Sequence, residues 1–550
     1  MVDDIVKDRE TALRLPSLGR RDLVKLGVGA ALGSLSAPVL IAQGRGGRRP
    51  VPPEGVPRIS THAGFKYTAN RISGNGPMDP ISQQIASYTT SFSEAQLTEP
   101  VVAGLNKLMV DCMVALIGSF GCEVGQVAAR LAKLSGATEL KSTVAGYGIT
   151  TEPVAAAFAN CFLVRQADYN DGDPPHGGHA SVIIPGVLAI GEAIHATGAQ
   201  VLTAVALGYE FLNAAHNVVR ERATGAGGGE GGGEGGGEGG VGWGDPGEGI
   251  ATAIACGKLL GLNEDRLGNA ISLALVPHLS LGKGDGTQSH FKAGHSAMNV
   301  RNGVFAALAA REGMTGPNAP FDGAEGLFEK VTGPFEIRLP VVAGHLGVEN
   351  FRVKRYPAEG NAQAMLHQAI PPIRDFTKYQ DIDSVHIEVD FGTLREIASP
   401  ECWDPSNRET ADHSLPYMFA AALMDGEVYL SSYTPQRYLH DAALKQLMAR
   451  ITVQANPDLV GTQGRSRIVV RKKTGESIAK VVENEIPLTY DEVLKKFDRV
   501  CAYMNIPNDQ RDRTRATWSN LRAVKDIAEP MHALAHLGPQ LPLTGGTPRS

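Results

Sequence analysis

Apolar positions recur along this 550-residue chain with two different periods, and the change of period divides it. From about residue 80 to 330 the spacing is helical. Leu105, Leu108, Met109, Cys112 and Leu116 fall on one helical face, as do Val300, Val304, Ala307 and Leu308. Pro185 to Thr197 reads as a further helix, and its small residues predict helices packed closely on one another. Strand signals are weak in this part. After about residue 345 the period becomes two: Val385, Ile387 and Val389 alternate with polar residues, as a half-buried strand would. Ile451–Val453 and Arg467–Arg471 are two more strand candidates, the second leading into a turn at Lys473-Thr474-Gly475. A helix over roughly His413–Met424 precedes them. Past residue 487 helix returns, opened by a capping box of Thr489 and Glu492 ahead of Val493, Leu494, Phe497 and Val500.

The order helical, α+β, helical predicts a mainly α fold with an inserted α+β lid. The large discontinuous helical domain takes residues 61–345 and, with a tail, 487–550; the smaller α+β domain takes 346–486. A cleft between two such domains is a preferred place for a small molecule.

Composition narrows the function classes. With 43% hydrophobic and 20% charged residues the chain has room for two to four domains and a sizeable core. A net charge of -6 argues against a nucleic-acid partner, so any anionic ligand needs a local basic cluster. The cysteines at 112, 122, 161, 256, 402 and 501 show no C-x-x-C spacing, which predicts reduced, buried thiols rather than zinc or a disulfide framework. Three GGGE units from Gly227 to Glu238 lack the aspartates of calcium-binding repeats and the Lys-Ser/Thr of a phosphate loop. They read as a solvated flexible loop, with an active-site flap as the alternative.

Near the N-terminus, Gly19-Arg20-Arg21-Asp22-Leu23-Val24-Lys25 precedes an uncharged stretch from Leu26 to Gly44. This resembles a twin-arginine export signal over residues 1–43, followed by a Gly/Pro/Arg-rich linker over 44–60. The expectation is a periplasmic protein, with the signal cleaved or kept as an anchor and no other membrane contact. A cytosolic amphipathic tail is the alternative.

Four separated segments carry a resemblance. The first is Asp168-Tyr169-Asn170-Asp171 leading to Gly178-His179-Ala180-Ser181. The second runs Lys292-Ala293-Gly294-His295, Arg301-Asn302-Gly303-Val304 and on to Gly316-Pro317. The third is Lys354-Arg355-Tyr356-Pro357-Ala358-Glu359, and the fourth is His413-Ser414-Leu415-Pro416-Tyr417 with Ala422 to Val428. Together and in this order they resemble the MmgE/PrpD family over roughly residues 80 to 505. The family includes 2-methylcitrate dehydratases, cis-aconitate decarboxylases and iminodisuccinate epimerases. The resemblance implies a large helical domain, a smaller α+β lid, a homodimer, no metal or organic cofactor, and proton removal or delivery beside a carboxylate.

Such chemistry without a metal needs cationic donors and a positioned acid or base. Lys292 and His295 are three apart and share a face if they open a helix, whose N-terminus itself favours an anion. Lys292 reads as a carboxylate clamp and His295 as a clamp or proton carrier; a packing histidine is the bland alternative. By the resemblance, Asp168 and His179 orient and move protons, Lys354 clamps a carboxylate, and Tyr417 donates a hydrogen bond or proton. Arg301 and Arg355 are adjacent candidates for substrate binding, or surface residues. The competing reading of the first loop is turn and cap chemistry. A further rival uses Asp168, Asp171, Asp173, His176 and His179 as hard-metal ligands.

The chain also departs from the family pattern. Gly172 stands where a threonine is frequent, the neighbourhood Gly242 to Pro246 lacks a family histidine, a decarboxylase lid histidine is missing, and Asn361 replaces a dehydratase histidine. The leading expectation is a dehydratase-like lyase for a small di- or tricarboxylic acid. An epimerase or decarboxylase, an exported carboxylate-binding protein and a metal-dependent hydrolase are the alternatives.

Overall fold

The computed structural model describes residues 71–538, apart from 73–75, 136–138, 174–177, 225–243, 279–287 and 460–464. The twin-arginine segment, the linker, the GGGE repeat and His176 lie outside the described residues.

Apolar burial produces two cores. The first takes residues from Met78 to Val353, then Tyr429, Leu430 and residues from Leu488 to Leu537. The second runs from Ala358 to Val482. The chain therefore leaves the helical core, builds the α+β core and returns.

The helical core comprises α1 (Pro80–Ser91), α2 (Glu99–Ser119), α3 (Glu123–Ala132), α4 (Pro153–Gln166), α5 (Ile184–Ala193), α6 (Gly198–Thr224), α7 (Gly244–Leu259), α8 (Glu264–Leu275) and α9 (Phe291–Arg311). In α2 the predicted apolar face is only part of the burial, because Val110, Met113, Val114 and Ala115 are buried as well. By length and composition α2 could cross a membrane, but 72% of its apolar window lies inside the protein, as in a core helix. A short ribbon pairing Ser142–Val144 with Ile149–Thr151 is the strand pair that the weak signals in this part did not predict.

Helix α9 packs on α7 and α4. The approach is close because Gly303 has no side chain: a Cβ there would meet the Gly249 carbonyl oxygen at 2.5 Å and the Thr252 Cβ at 2.6 Å. This contact sets the position of the helix that starts beside Lys292.

The second core is built on a four-stranded mixed sheet: β1 (Ile382–Val389), β2 (Ile451–Ala455), β3 (Ser466–Lys472) and β4 (Ser477–Val482), in the order β2-β1-β3-β4. β1 runs parallel to β2, with Val385 beside Ile451, and antiparallel to β3. Val385, Ile387 and Val389 are buried, as their alternation predicts. The turn at Gly475 (φ 95°) joins β3 to β4, a strand that the sequence pattern left out. Two helices of this part matter for the site: α10 (Arg408–Ala411) and α11 (Leu415–Asp425). Ser414 caps α11 by accepting from the Tyr417 N–H, and Gly426 ends it in the left-handed region (φ 100°). The return into the helical core is α12 (Tyr490–Tyr503), opened by the Thr489/Glu492 capping box, and α13 (Asn508–Trp518).

The cysteines are all free; Cys122 is half-buried and the others are buried.

Candidate active site

Just past α4, Asp168 adopts φ 48°, a left-handed conformation that costs an aspartate on the order of 1 kcal/mol. The carboxylate is 1% exposed and sits between two cations. Arg165, three residues earlier on α4, pairs with one oxygen, and the Lys354 Nζ donates to the other at 2.9 Å. Burial alone would raise this carboxyl, but Lys354, Lys292 and Arg165 outweigh it and hold it well below the usual carboxylate range.

A second carboxylate mirrors the first. Asp412, fully buried at the end of α10, accepts from the Lys292 Nζ at 2.5 Å and lies 3.5 Å from the Arg408 guanidinium. Lys292 occupies the first turn of α9, so this ion pair joins the helical core to the lid. Burial pushes the Asp412 carboxyl up, yet Lys292, His413 and Arg408 bring it below its ordinary value. Burial pulls the Lys292 ammonium down, against the pull of Asp412 and Asp168.

His413 completes the group. Its Nδ1 is 2.9 Å from Asp412 Oδ1. An ionised carboxylate can only accept, so Nδ1 carries the proton and Nε2 is left as the acceptor nitrogen. Burial, followed by the nearby Lys292 ammonium, lowers the ring below the ordinary histidine value, so it is neutral at pH 7. A neutral imidazole oriented by a carboxylate is poised to accept a proton.

Beside it, the Glu359 N–H donates to the Asp412 carbonyl at 3.0 Å. The Glu359 carboxyl is buried and is pushed well above the carboxylate range by burial first and by Glu396 second. Asn361 links the two carboxyls: its Nδ2 lies 3.3 Å from Glu359 Oε1 and 3.2 Å from Glu396 Oε2. Burial and Glu396 thus favour the acid form of Glu359, whose second oxygen accepts from the Asn361 N–H at 2.8 Å.

An open depression of about 320 Å³ lined by Gln288, Ser289, His290, Phe291 and Asn407 lies next to the start of α9. Gln288 bridges the two cores here, donating to Thr410 Oγ1 at 3.0 Å and accepting from Asn407 Nδ2 at 2.6 Å.

Of the residues singled out in the sequence, Lys292, Lys354 and Asp168 come together. His179 stands nearby, its Nδ1 2.5 Å from the Asp171 carbonyl oxygen. His295 is one turn along α9, buried, with its ring edge-on to Phe291 at 5.8 Å. The other three are placed elsewhere. Tyr417 is fully buried in the lid core and its hydroxyl donates to the Ser432 carbonyl, so it is already committed. Arg301 is exposed on α9, and Arg355 pairs with Glu492 at 2.9 Å. The metal-ligand reading also disperses. Asp171 accepts from Tyr209 and Ser181, Asp173 pairs with His216 at 3.0 Å, and no set of three ligating side chains converges among the described residues.

Arg165, Asp412, His413 and Glu359 were not singled out by sequence reasoning. The signals were available for three of them: Arg165 is a helical turn before Asp168, Glu359 ends the third motif, and His413 opens the fourth.

The signature of the MmgE/PrpD N-terminal domain matches residues 83–340, and that of the C-terminal domain matches 356–520. The chain belongs to the MmgE/PrpD family. It is 24% identical over 489 residues to the cis-aconitate decarboxylase-like protein oryM of Aspergillus oryzae, covering 83% of this chain and 98% of that protein. Human cis-aconitate decarboxylase is 21% identical over 392 residues (69% of this chain, 77% of the relative). A probable 2-methylcitrate dehydratase of Saccharomyces cerevisiae is 26% identical over 315 residues (53% and 58%). The two-core architecture is consistent with the two-domain fold of this family.

Proposed function

We propose that this MmgE/PrpD protein is a lyase for a small di- or tricarboxylic acid, eliminating water by proton abstraction next to a carboxylate. The observation that carries the reading is the charge of the buried cluster. Arg165, Lys292, Lys354 and Arg408 gather around two carboxylates, Asp168 and Asp412, beside a neutral histidine. Cationic donors gathered beside an acid/base group are what proton removal next to a carboxylate needs.

The step balances with the groups in place. His413 Nε2 takes the proton from the carbon beside the carboxylate, and the C–H electrons form the double bond. The C–O bond breaks, and the hydroxyl leaves as water with the Glu359 proton. The cations stabilise the charge that builds on the carboxylate. Two titratable groups pushed toward opposite duties are what such an elimination needs.

A second reading, decarboxylation, is favoured by the names of the fungal and human relatives. There the C–CO₂ bond supplies the electrons and the carbon takes up a proton instead. Product analysis by NMR decides between them. Water loss from 2-methylcitrate or citrate supports elimination, whereas CO₂ release from cis-aconitate supports the second reading. Binding of these acids without turnover would instead support a carboxylate-binding protein. The expected twin-arginine export belongs to the same proposal: replacing Arg20 and Arg21 with lysine should keep the protein in the cytoplasm, and unchanged periplasmic recovery would contradict it.

A further inference from the structure

Among the described residues, one buried ammonium outside the charge cluster is not used by the proposed reaction. Lys496 on α12 is 6% exposed, and its Nζ donates to Asp111 Oδ1 at 2.6 Å, to the Lys354 carbonyl at 2.8 Å and to the Tyr169 carbonyl at 2.9 Å. Three acceptors match the three N–H bonds of an ammonium. The Nζ also stands 3.7 Å from the centroid of the Tyr169 ring, a cation–π contact.

The choice of acceptors is informative. Tyr169 follows Asp168 directly, and Lys354 is its ion-pair partner, 186 residues further on. The two segments are tied a second time where Gly172 and Arg352 exchange backbone hydrogen bonds of 2.8 and 2.7 Å. Lys496 therefore clamps the peptides that carry the Asp168–Lys354 pair, at the end opposite the Gly172–Arg352 bridge. A lysine serving only to join α12 to α2 would need Asp111 alone. The carbonyls, by contrast, are the backbone of the site.

We infer that Lys496 is a positioning residue, which fixes the spacing between Asp168 and Lys354 by holding both main chains from a third element. This rests on the proposed function for its effect on catalysis, but not for its effect on geometry.

The test uses the full chain. Lys496→Met alone leaves Asp111 buried and unpaired, and it is expected to fold poorly. The double variant Lys496→Met/Asp111→Leu replaces the ion pair with apolar side chains, which a buried site tolerates better. In its crystal structure the Asp168–Lys354 contact should open and the Tyr169 and Lys354 carbonyls should separate. Turnover of the substrate identified in the wild type should fall about 100-fold, mainly in kcat, as a displacement near 1 Å would cause. A folded double variant that keeps the Asp168–Lys354 contact would overturn the inference, as would one that keeps wild-type kcat. If the wild type turns over no carboxylic acid, the function fails, while the crystal structure still decides whether Lys496 sets the geometry.

Discussion

At the scale of single residues, His413 is the group that accepts the proton in the proposed reaction. His413→Gln should keep the fold and the affinity for a tricarboxylate while kcat drops about 10²- to 10⁴-fold. An equal loss of affinity would instead mark His413 as a binding residue. The pH profile follows from the two shifted groups. His413 is lowered, so activity is lost only as pH falls through a value below the ordinary 6.5. Glu359 is raised, so activity declines as pH rises through its elevated value. A bell results, and Glu359→Gln should remove its alkaline limb. Tyr417 is the contrasting case. Because its hydroxyl is bound to Ser432 within the lid core, Tyr417→Phe should leave kcat nearly unchanged and cost about 1 kcal/mol in urea unfolding. A large loss of activity with intact stability would return Tyr417 to the site. Sequence alone made Lys292, Lys354 and Asp168 visible, since each sits in a motif rich in the residue types that the chemistry needs. The partner of Lys292 was not visible, because it meets Asp412 across 120 residues. Nor does a motif say whether a tyrosine hydroxyl is already taken.

At the scale of elements, the features legible in the sequence are those set by local physics. The Thr489/Glu492 box opens α12, and the period-two run became β1. The missed elements lacked such a signal. β4 reads Ser477-Ile478-Ala479-Lys480-Val481-Val482, so its residue types do not alternate although its exposure does; its place comes from pairing with β3. Likewise, α2 is buried on several sides by its neighbours, which periodicity cannot count. The turn after α11 offers a direct check. Gly426 has φ 100°, and a Cβ there would stand 3.3 Å from Arg374. Gly426→Ala should therefore destabilise the chain by about 1 kcal/mol or more in chemical denaturation. No measurable change would mean that α11 ends differently.

At the scale of the whole molecule, the site exists only because two cores meet. The helical core supplies Arg165, Asp168 and Lys292, while the lid supplies Arg408, Asp412 and His413 and the segment between them supplies Lys354. The expected homodimer is a proposal at this scale as well. Phe291, Met298 and Phe305 recur every seven residues on α9 and are 44%, 41% and 52% exposed, an apolar stripe suited to a second copy of the chain. Phe305→Glu should convert a dimer to a monomer in light scattering, and a monomeric wild type would contradict the assignment.

The proposed chemistry comes down to proton transfer where the two cores meet, and solvent exchange reads that transfer whichever product forms. In D₂O, the wild type should place deuterium on the carbon beside a carboxylate of a bound citrate-like acid, as seen by NMR, while His413→Gln binds the acid and exchanges nothing. Equal exchange by both proteins, or a wild type that binds the acid and leaves its C–H bonds untouched, would contradict the account.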